Sequence, residues 1–473
     1  MFSNKDLRKL IIPLVIEQLL AVTIGMADTV MVSSCGEAAV SGISLVDSIN
    51  FLLITLFSSL ATGGAVIASQ YIGRGDHKSA SLAAKQLFYA SLALSAVLGV
   101  IAVFFRKPVL NMVFGSIEAD VMAHAQIYFL LSAISYPFLA VYNAGAALFR
   151  SMGDSRTTML ISILMNTINI VGNAILIYGF QMAAAGAATA SLVSRAVGAI
   201  IITVLLLNPR RIIFYDKLHK PEIHLSMLKS ILQIGVPNGL ENSIFQIGKI
   251  LVASIVSGFG TISITANAVA GNLASLQVIP GMALGMAMIT VVGQCIGAKD
   301  YEAVKKYTKK LMLITYGVVW AMTLLMLLFS KQILSFYSLS EETTTMTMEV
   351  FIVHGICAVI VWPLAFALPN ALRAANDVRF TMIVSLLSMW IFRIGFSYVL
   401  AIYFNMGILG TWIAMCIDWF CRGACFVIRF ARGKWKNISF IDNYEGGKTV
   451  WNMMLLPAAL RRADCARKAI SAF

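Results

Sequence analysis

Charge is scarce in this sequence: 12% of its 473 residues are Asp, Glu, Lys or Arg, against about 25% in a soluble domain. Acidic residues are the rarer sign, 22 against 36 basic ones. So little charge excludes an ordinary cytosolic enzyme and a disordered chain. Cysteine is sparse too. Seven are scattered along the chain, an odd number with no zinc-ligand spacing, and Cys416, Cys421 and Cys425 share one apolar stretch. That excludes a disulfide scaffold and makes the cysteines small packing residues. None of the five histidines, His77, His124, His219, His224 and His354, belongs to an HExxH pair, and no phosphate loop with its lysine occurs. Direct ATP coupling and metal-assisted hydrolysis are thereby left without their residues. GRGD at 73–76 is a turn between helices.

What the sequence does have is apolar length. Hydrophobic residues make up 59% of the chain, and mean hydropathy is +0.84. A helix crossing the bilayer needs about 20 mostly apolar residues. Windows of that length centre near Leu20, Leu53, Ala93, Ser135, Ile168, Val193, Ile244, Leu276, Val319, Val359, Leu387 and Trp419. The fold class is therefore all-α integral membrane, with twelve transmembrane helices. The opening MFSNKDLRKL lacks the layout of a signal peptide, so the first apolar stretch is expected to stay in the protein.

The net charge of +14 would suit a nucleic-acid binder, but its placement points elsewhere. With the N-terminus inside, the inner segments hold 29 Lys and Arg, the outer loops hold 3 (Arg106, Lys107, Lys331), and Arg195, Lys249, Arg393 and Arg422 fall within spans. This split places both termini in the cytoplasm of a multi-pass protein of the cell membrane. Nucleic acid is not an expected partner. Membrane lipids are, with the chain acting as a monomer.

An internal repeat organises the chain. Pro13 and Glu17 recur as Pro237 and Glu241, an offset of 224. SQYIGRGD (69–76) recurs as GQCIGAKD (293–300), and FRSMGDSRTTM (149–159) as LRAANDVRFTM (372–382). Six spans per repeat is an even number, so the two bundles enter the membrane in the same sense, with a binding cavity expected between them. The divisions are a first six-helix bundle at 1–207, a charged cytoplasmic linker at 208–224, a second bundle at 225–430 and a basic tail at 431–473. In that tail, Trp451 to Leu460 suits either a short interfacial helix or part of a disordered segment.

Ionisable groups inside spans are costly and usually functional. Glu17 and Asp28 lie on nearly the same face of the first span, about 20° apart around the axis and about 16 Å apart along it. Asn166, Asn169 and Asn173 form a polar stripe at i, i+3 and i+7, and Ser191 lies in the sixth span. Asp28 with Asn169, Asn173 and Ser191 either binds Na+ or a proton, or joins the helices through hydrogen bonds. The repeat does not duplicate this group: Val252, Arg393 and Ser397 stand at the positions of Asp28, Asn169 and Asn173. Arg393 is expected to pair with Asp418 or Glu241 as a structural intramembrane ion pair. Lys249 either pairs similarly or meets an acidic group in the cavity.

The stretches PLVIEQLL and GMADTVMVS in the first span, LATGGAVIASQYIGRGD, ALFRSMGDSRTTM, NTINIVGNAILIYG, GAATASLVSR, GVPNGLENSIFQIGK and IPGMALGMAMITVVGQCIGAKD resemble the multidrug and toxic compound extrusion family of antiporters, of prokaryotic type. The likeness runs in order over about residues 1–430. It implies two six-helix bundles around a central cleft, exporting organic, often cationic, compounds in exchange for Na+ or H+, with no cofactor and no enzymatic activity. On that resemblance Asp28 matches the family's ion-linked acid and Asn169 its asparagine. Asn173 stands where many members have aspartate, Ser191 where they have threonine, and Glu241 matches an acidic position in the seventh span. Glu17, Asn166 and Glu241 are expected to line the substrate cleft, the two acids attracting positively charged cargo. A lipid-linked saccharide flippase, which shares the superfamily fold, is the alternative.

Overall fold

The computed structural model describes residues 2–438 apart from 116, 117, 217, 219, 221 and 338, with backbone alone for 24, 26, 27 and 29. No β-strand occurs among the described residues. The first bundle comprises α1 (Asn4–Ser33), α2 (Glu37–Arg74), α3 (His77–Phe114), α4 (Ala119–Ser151), α5 (Ser155–Asn173) and α6 (Ala183–Leu206). The second comprises α7 (Leu225–Ser257), α8 (Thr261–Gly297), α9 (Tyr301–Leu328), the short α10 (Ser330–Ser335), α11 (Glu341–Ile360), α12 (Leu368–Ala374), α13 (Val378–Ser388) and α14 (Gly407–Ala431). A π-helical stretch, Pro363–Ala367, carries α11 into α12 as one span. Eleven helical segments among the described residues are long and apolar enough to cross a membrane. The 30-residue α1 has the length for a twelfth.

The repeat seen in the sequence is reproduced by the backbone. A π-helical turn extends α5 at Ala174–Gly179 and recurs at Tyr398–Tyr403, beyond α13. Left-handed residues recur as Gly36 with Gly260, Gly75 with Lys299, Gly153 with Asn376, Gln181 with Asn405, and Ala183 with Gly407. Lys299 (φ 56°) and Asn376 (φ 67°) hold this conformation without being glycine, so the turn geometry outlasts the residue best suited to it. Helix starts follow the same plan. Asp76, Asp154 and Asp300 each accept a hydrogen bond from a first-turn backbone N–H, of Ser79, Thr157 and Ala303, the usual way of satisfying those orphan donors.

The two bundles meet at the ends of the helices that gather the basic residues. Gln70 donates to the carbonyl of Ala374 (2.7 Å), and its repeat mate Gln294 donates to the carbonyl of Ser151 (2.8 Å). A Cβ added to Gly73 would overlap the backbone of Gln294, and one added to Gly297 would overlap that of Gln70. Small residues permit this approach, as at other membrane helix crossings. Leu7, Leu10 and Leu14 of α1 pack among Ala283 to Cys295 of α8, while Met227, Ile231 and Ile234 of α7 pack into the first bundle. Toward the opposite ends, each apolar cluster draws on one bundle alone: Val32 to Ala188 in the first, Val256 to Trp419 and Val269 to Phe351 in the second. The bundles are thus sealed at their basic ends and part toward the other side.

Because Gly73 and Gly297 face backbone rather than movable side chains, alanine at both should force the sealed ends apart. Spin labels at Ser34 and Ser257, on the opposite ends of α1 and α7, should then move closer together. An unchanged distance distribution in the double variant would show that these crossings do not hold the conformation.

The segments that follow the two bundles pack against them. In the linker, Ile213 and Tyr215 are buried against the first bundle, Tyr89 donates to the Leu218 carbonyl (2.8 Å), and Gln86 clasps Glu222 and His224. The second bundle also extends past 430. Trp435 is buried, stacked on Phe430, and donates its indole N–H to the Phe430 carbonyl. The indole finds an apolar slot and a backbone acceptor, which a solvated tail would lack. Of the six described cysteines, Cys295 alone is fully buried and Cys425 is exposed, contrary to uniform burial. The stretch from Trp451 to Leu460 lies outside the described residues.

Candidate ion-binding site

Helical spacing puts Asn169 and Asn173 on one face of α5, and the cost of burying amides turns that face inward. There they meet Asp28 of α1. Asn173 donates to Asp28 Oδ1 (2.7 Å). With the Asn169 amide oriented to suit its neighbours, its nitrogen donates to both Asp28 oxygens (2.8 and 3.1 Å) and its oxygen accepts from Ser191 Oγ (3.0 Å). One carboxylate is therefore held by two amides, one of them fixed by a hydroxyl. Among the described residues, Asn173 Oδ1 is buried without a partner. It is an acceptor beside a carboxylate, where a proton or a monovalent cation would find one. Amides suit such a role because they can present N–H to a carboxylate or C=O to a cation. Asn166 joins neither group; it donates to Ser162 one turn back on its own helix (3.3 Å).

Behind this group lies a second acid that the sequence reasoning passed over. Asp47 of α2 accepts hydrogen bonds from Tyr128 (3.0 Å) and Asn50 (3.2 Å). Asn50 in turn accepts from Tyr136 (2.8 Å). Arg195 of α6, anchored by a bond to Ser135 (2.7 Å), interacts electrostatically with both Asp28 and Asp47. The spacing of Asp47 and Asn50 at i, i+3 inside an apolar span was the available signal.

Glu17 and Glu241 do not line the cleft as unpaired acids. Glu17 is buried, paired with Arg150 (3.3 Å), and accepts from Thr158 (2.9 Å). Glu241 is buried and paired with Arg373 (2.7 Å). The two pairs are repeat mates, each joining the first helix of a bundle to the end of its fourth span. Their charge is cancelled at close range in a low dielectric, which leaves little field for a cargo. Glu241→Gln is therefore expected to lower stability and to reduce transport of cationic and neutral compounds alike. A loss confined to cationic compounds, in a side-by-side uptake assay, would restore Glu241 to the cleft.

The second bundle answers with the opposite sign. Asp418 is fully buried and is bound by Arg422 at 2.8 and 3.0 Å and by Ser388 at 2.5 Å. Arg393, its expected partner, stands farther away at 3.8 Å. Lys249 has no acid within ion-pair distance among the described residues; its ammonium lies 5.3 Å from the ring centroid of Phe245. No group of three or more His, Cys, Asp and Glu side chains placed to hold a metal ion occurs among the described residues.

The MatE family model matches residues 13–175 and again 237–399, two blocks that begin at the repeat-related Pro13 and Pro237. The chain belongs to the MatE family. MatE proteins are membrane transporters, not enzymes, and the apolar helices described above are those of a multi-pass member. Among relatives, a protein named "Uncharacterized transporter YisQ" from Bacillus subtilis is 26% identical over 429 residues, 89% of this chain and 93% of its own length. A "Probable multidrug resistance protein NorM" from Thermotoga maritima is 26% identical, covering 92% of this chain and 93% of its own. One of the same name from Bacillus cereus is 29% identical, covering 89% and 93%. Among solved structures, a MATE protein in a bent conformation superposes with a TM-score of 0.83 at 20% identity, over 93% of this chain and 97% of its own. A Pyrococcus furiosus transporter of the MOP superfamily, described as having a binding pocket of reverse polarity, gives 0.82 at 21%, over 92% and 97%. These likenesses carry the MatE fold over nearly the whole chain, with two bundles as the sequence repeat requires.

Proposed function

We propose that this MatE protein is a secondary active efflux transporter that exports small organic compounds in exchange for Na+ or H+ taken up at Asp28. The observation that carries the reading is the Asp28 carboxylate of α1, clasped by Asn169 and Asn173, beside a buried acceptor oxygen that has no partner among the described residues. The multidrug names of the NorM relatives support export of organic compounds. The cargo passes through a cleft formed within one chain, so a monomer embedded in lipid suffices. The positive-inside rule places the basic ends in the cytoplasm, and this conformation, sealed at those ends, then faces outward. That is the state in which a cargo leaves and an ion enters.

Coupling requires the ion to bind the two conformations with different affinity. Asp28 lies five residues from the outer end of α1, about 8 Å along the helix. An ion that draws amide oxygens and Asp28 together alters how α1 packs on α5 and α6, and α1 also reaches the second bundle through Leu7, Leu10 and Leu14. A change at Asp28 is thereby connected to the seal. The flippase alternative gains no support from the relatives.

The test is efflux of a fluorescent organic compound from proteoliposomes under Na+ and pH gradients imposed separately. Acceleration by one gradient names the ion and supports the reading. No acceleration by either, with correctly inserted protein, overturns it.

A further inference from the structure

We propose that Lys249, Arg393 and Arg422, gathered around Phe245, form a binding site for the anionic group of an aromatic organic cargo. The inference rests on transport through the cleft as read above, and adds the charge class of what is carried.

The bookkeeping of charge comes first. Three cations and one carboxylate meet where α7, the α13 span and α14 converge. Asp418 neutralises Arg422 directly and touches Arg393 at 3.8 Å. Lys249 is left with no acid among the described residues, and Arg393 is near enough to repel it. The nearest acid on its own helix, Glu241, is already bound by Arg373. The cluster therefore carries two positive charges in excess within membrane-spanning helices, where unpaired charge is costly and marks a ligand pathway.

Hydrogen bonding points the same way. Among the described residues, the Nε atoms of Arg393 and Arg422 are buried without a partner, and both residues are more than nine-tenths buried, with exposures of 9% and 3%. Buried donors of this kind are normally satisfied. A carboxylate, phosphate or sulfonate entering beside them would supply acceptors for these donors and countercharge for Lys249.

The third observation is aromatic. The ring of Phe245 has all three cations within 5.4 Å of its centroid. One ring has two faces, so its quadrupole cannot serve three cations fully. Phe245 packs edge-on against Phe366, which in turn contacts Trp362 and Trp419. An apolar aromatic surface next to fixed positive charge suits an aromatic anion better than an inorganic one. Lys249 lies about 12 Å along α7 from the end of the helix, and Asp47 about 15 Å along α2 from its corresponding end. The basic wall thus stands at the depth of the acidic one, and a zwitterion could address both.

A xanthene series tests the site with one ring system and three charges: fluorescein (anion), rhodamine B (zwitterion with a free carboxylate) and rhodamine 6G (cation, carboxylate esterified). Binding is measured by fluorescence polarisation to the full-length protein in phosphatidylcholine nanodiscs, with no gradient, so the outcome is independent of ion coupling. Fluorescein and rhodamine B should bind about ten-fold more tightly than rhodamine 6G, as expected for a charge-assisted contact. Lys249→Gln should collapse that difference without weakening rhodamine 6G binding or lowering the unfolding midpoint, because Lys249 makes no ion pair that folding needs and its loss relieves the repulsion from Arg393. Equal or tighter binding of rhodamine 6G to the unaltered protein overturns the proposal, and that arm needs no variant. Full displacement of fluorescein by sodium chloride, where sodium gluconate has no effect, would mark an inorganic anion site. Displacement by phosphatidylglycerol in the nanodisc would mark a lipid headgroup site. Either result overturns the assignment to cargo.

Discussion

Asp28→Asn should reduce gradient-driven efflux by about a hundredfold or more, while the protein folds and inserts normally. Asparagine has the shape of the aspartate but takes neither a proton nor a cation's countercharge in the working pH range. Its oxygen can keep the bond from Asn173 Nδ2, which is 2.7 Å from Asp28 Oδ1 in the structure. Its nitrogen, standing where Asp28 Oδ2 does, can donate to the Asn169 amide oxygen once that amide turns over, the Asn169 nitrogen then donating to Ser191 Oγ (3.0 Å). The local network therefore survives the substitution, and a loss of transport reports on charge rather than on packing. The size follows from the exchange itself: driving a two-state equilibrium from 1:99 to 99:1 takes about 5.5 kcal/mol of differential binding. Without the ion, that drive is gone. Initial efflux rates from proteoliposomes, normalised to inserted protein, provide the check. A variant that retains more than about a tenth of the rate under the effective gradient would remove Asp28 from the coupling step.

The site was legible in the sequence to the extent that helical periodicity and the cost of buried charge act locally. Asn169 and Asn173 share a face because they are one turn apart, and that face must turn inward, so its meeting with Asp28 could be anticipated. The repeat was visible because turns and caps need particular residues: Gly75 and Asp76 punctuate the chain in the first half as Lys299 and Asp300 do in the second. The partners of Glu17 and Glu241 were not visible. Arg150 and Arg373 lie at helix ends and look like ordinary inside positive charges, yet their long side chains reach back along the helix to a buried acid, as snorkelling side chains can. Arg422 was closer to hand, since it stands at i+4 from Asp418, the helical ion-pair spacing. Asp47 was hidden by the serines and isoleucines around it. The seal at the basic ends is a tertiary property of Gly73 and Gly297 meeting backbone of the opposite bundle, and no local pattern encodes which end of a cleft is closed.

Asp418→Asn is expected to destabilise the protein more than any of the other single substitutions, by about 3–5 kcal/mol, the usual consequence of breaking a buried ion pair from one side. Asp418 is fully buried, holds Arg422 with two hydrogen bonds, accepts from Ser388 and stands 3.8 Å from Arg393. Neutralising it leaves Arg393, Arg422 and Lys249 together with no countercharge, so mutual repulsion adds to the desolvation already present. Removing a cation as well should undo part of the damage: Asp418→Asn with Arg422→Gln should be more stable than Asp418→Asn alone, because the pair is then absent rather than broken. Recovery should stay incomplete, since Arg393 and Lys249 remain. The exposed pair of Glu302 and Lys305 sets the scale from below: Glu302→Gln should cost less than about 0.5 kcal/mol. Unfolding in mixed dodecyl sulfate micelles, followed by the fluorescence of the neighbouring Trp419 and the other tryptophans, gives the values on one scale. If Asp418→Asn cost no more than Glu302→Gln, the three cations would have to be neutralised by something other than Asp418, and the balance of charge drawn for the second bundle would be wrong.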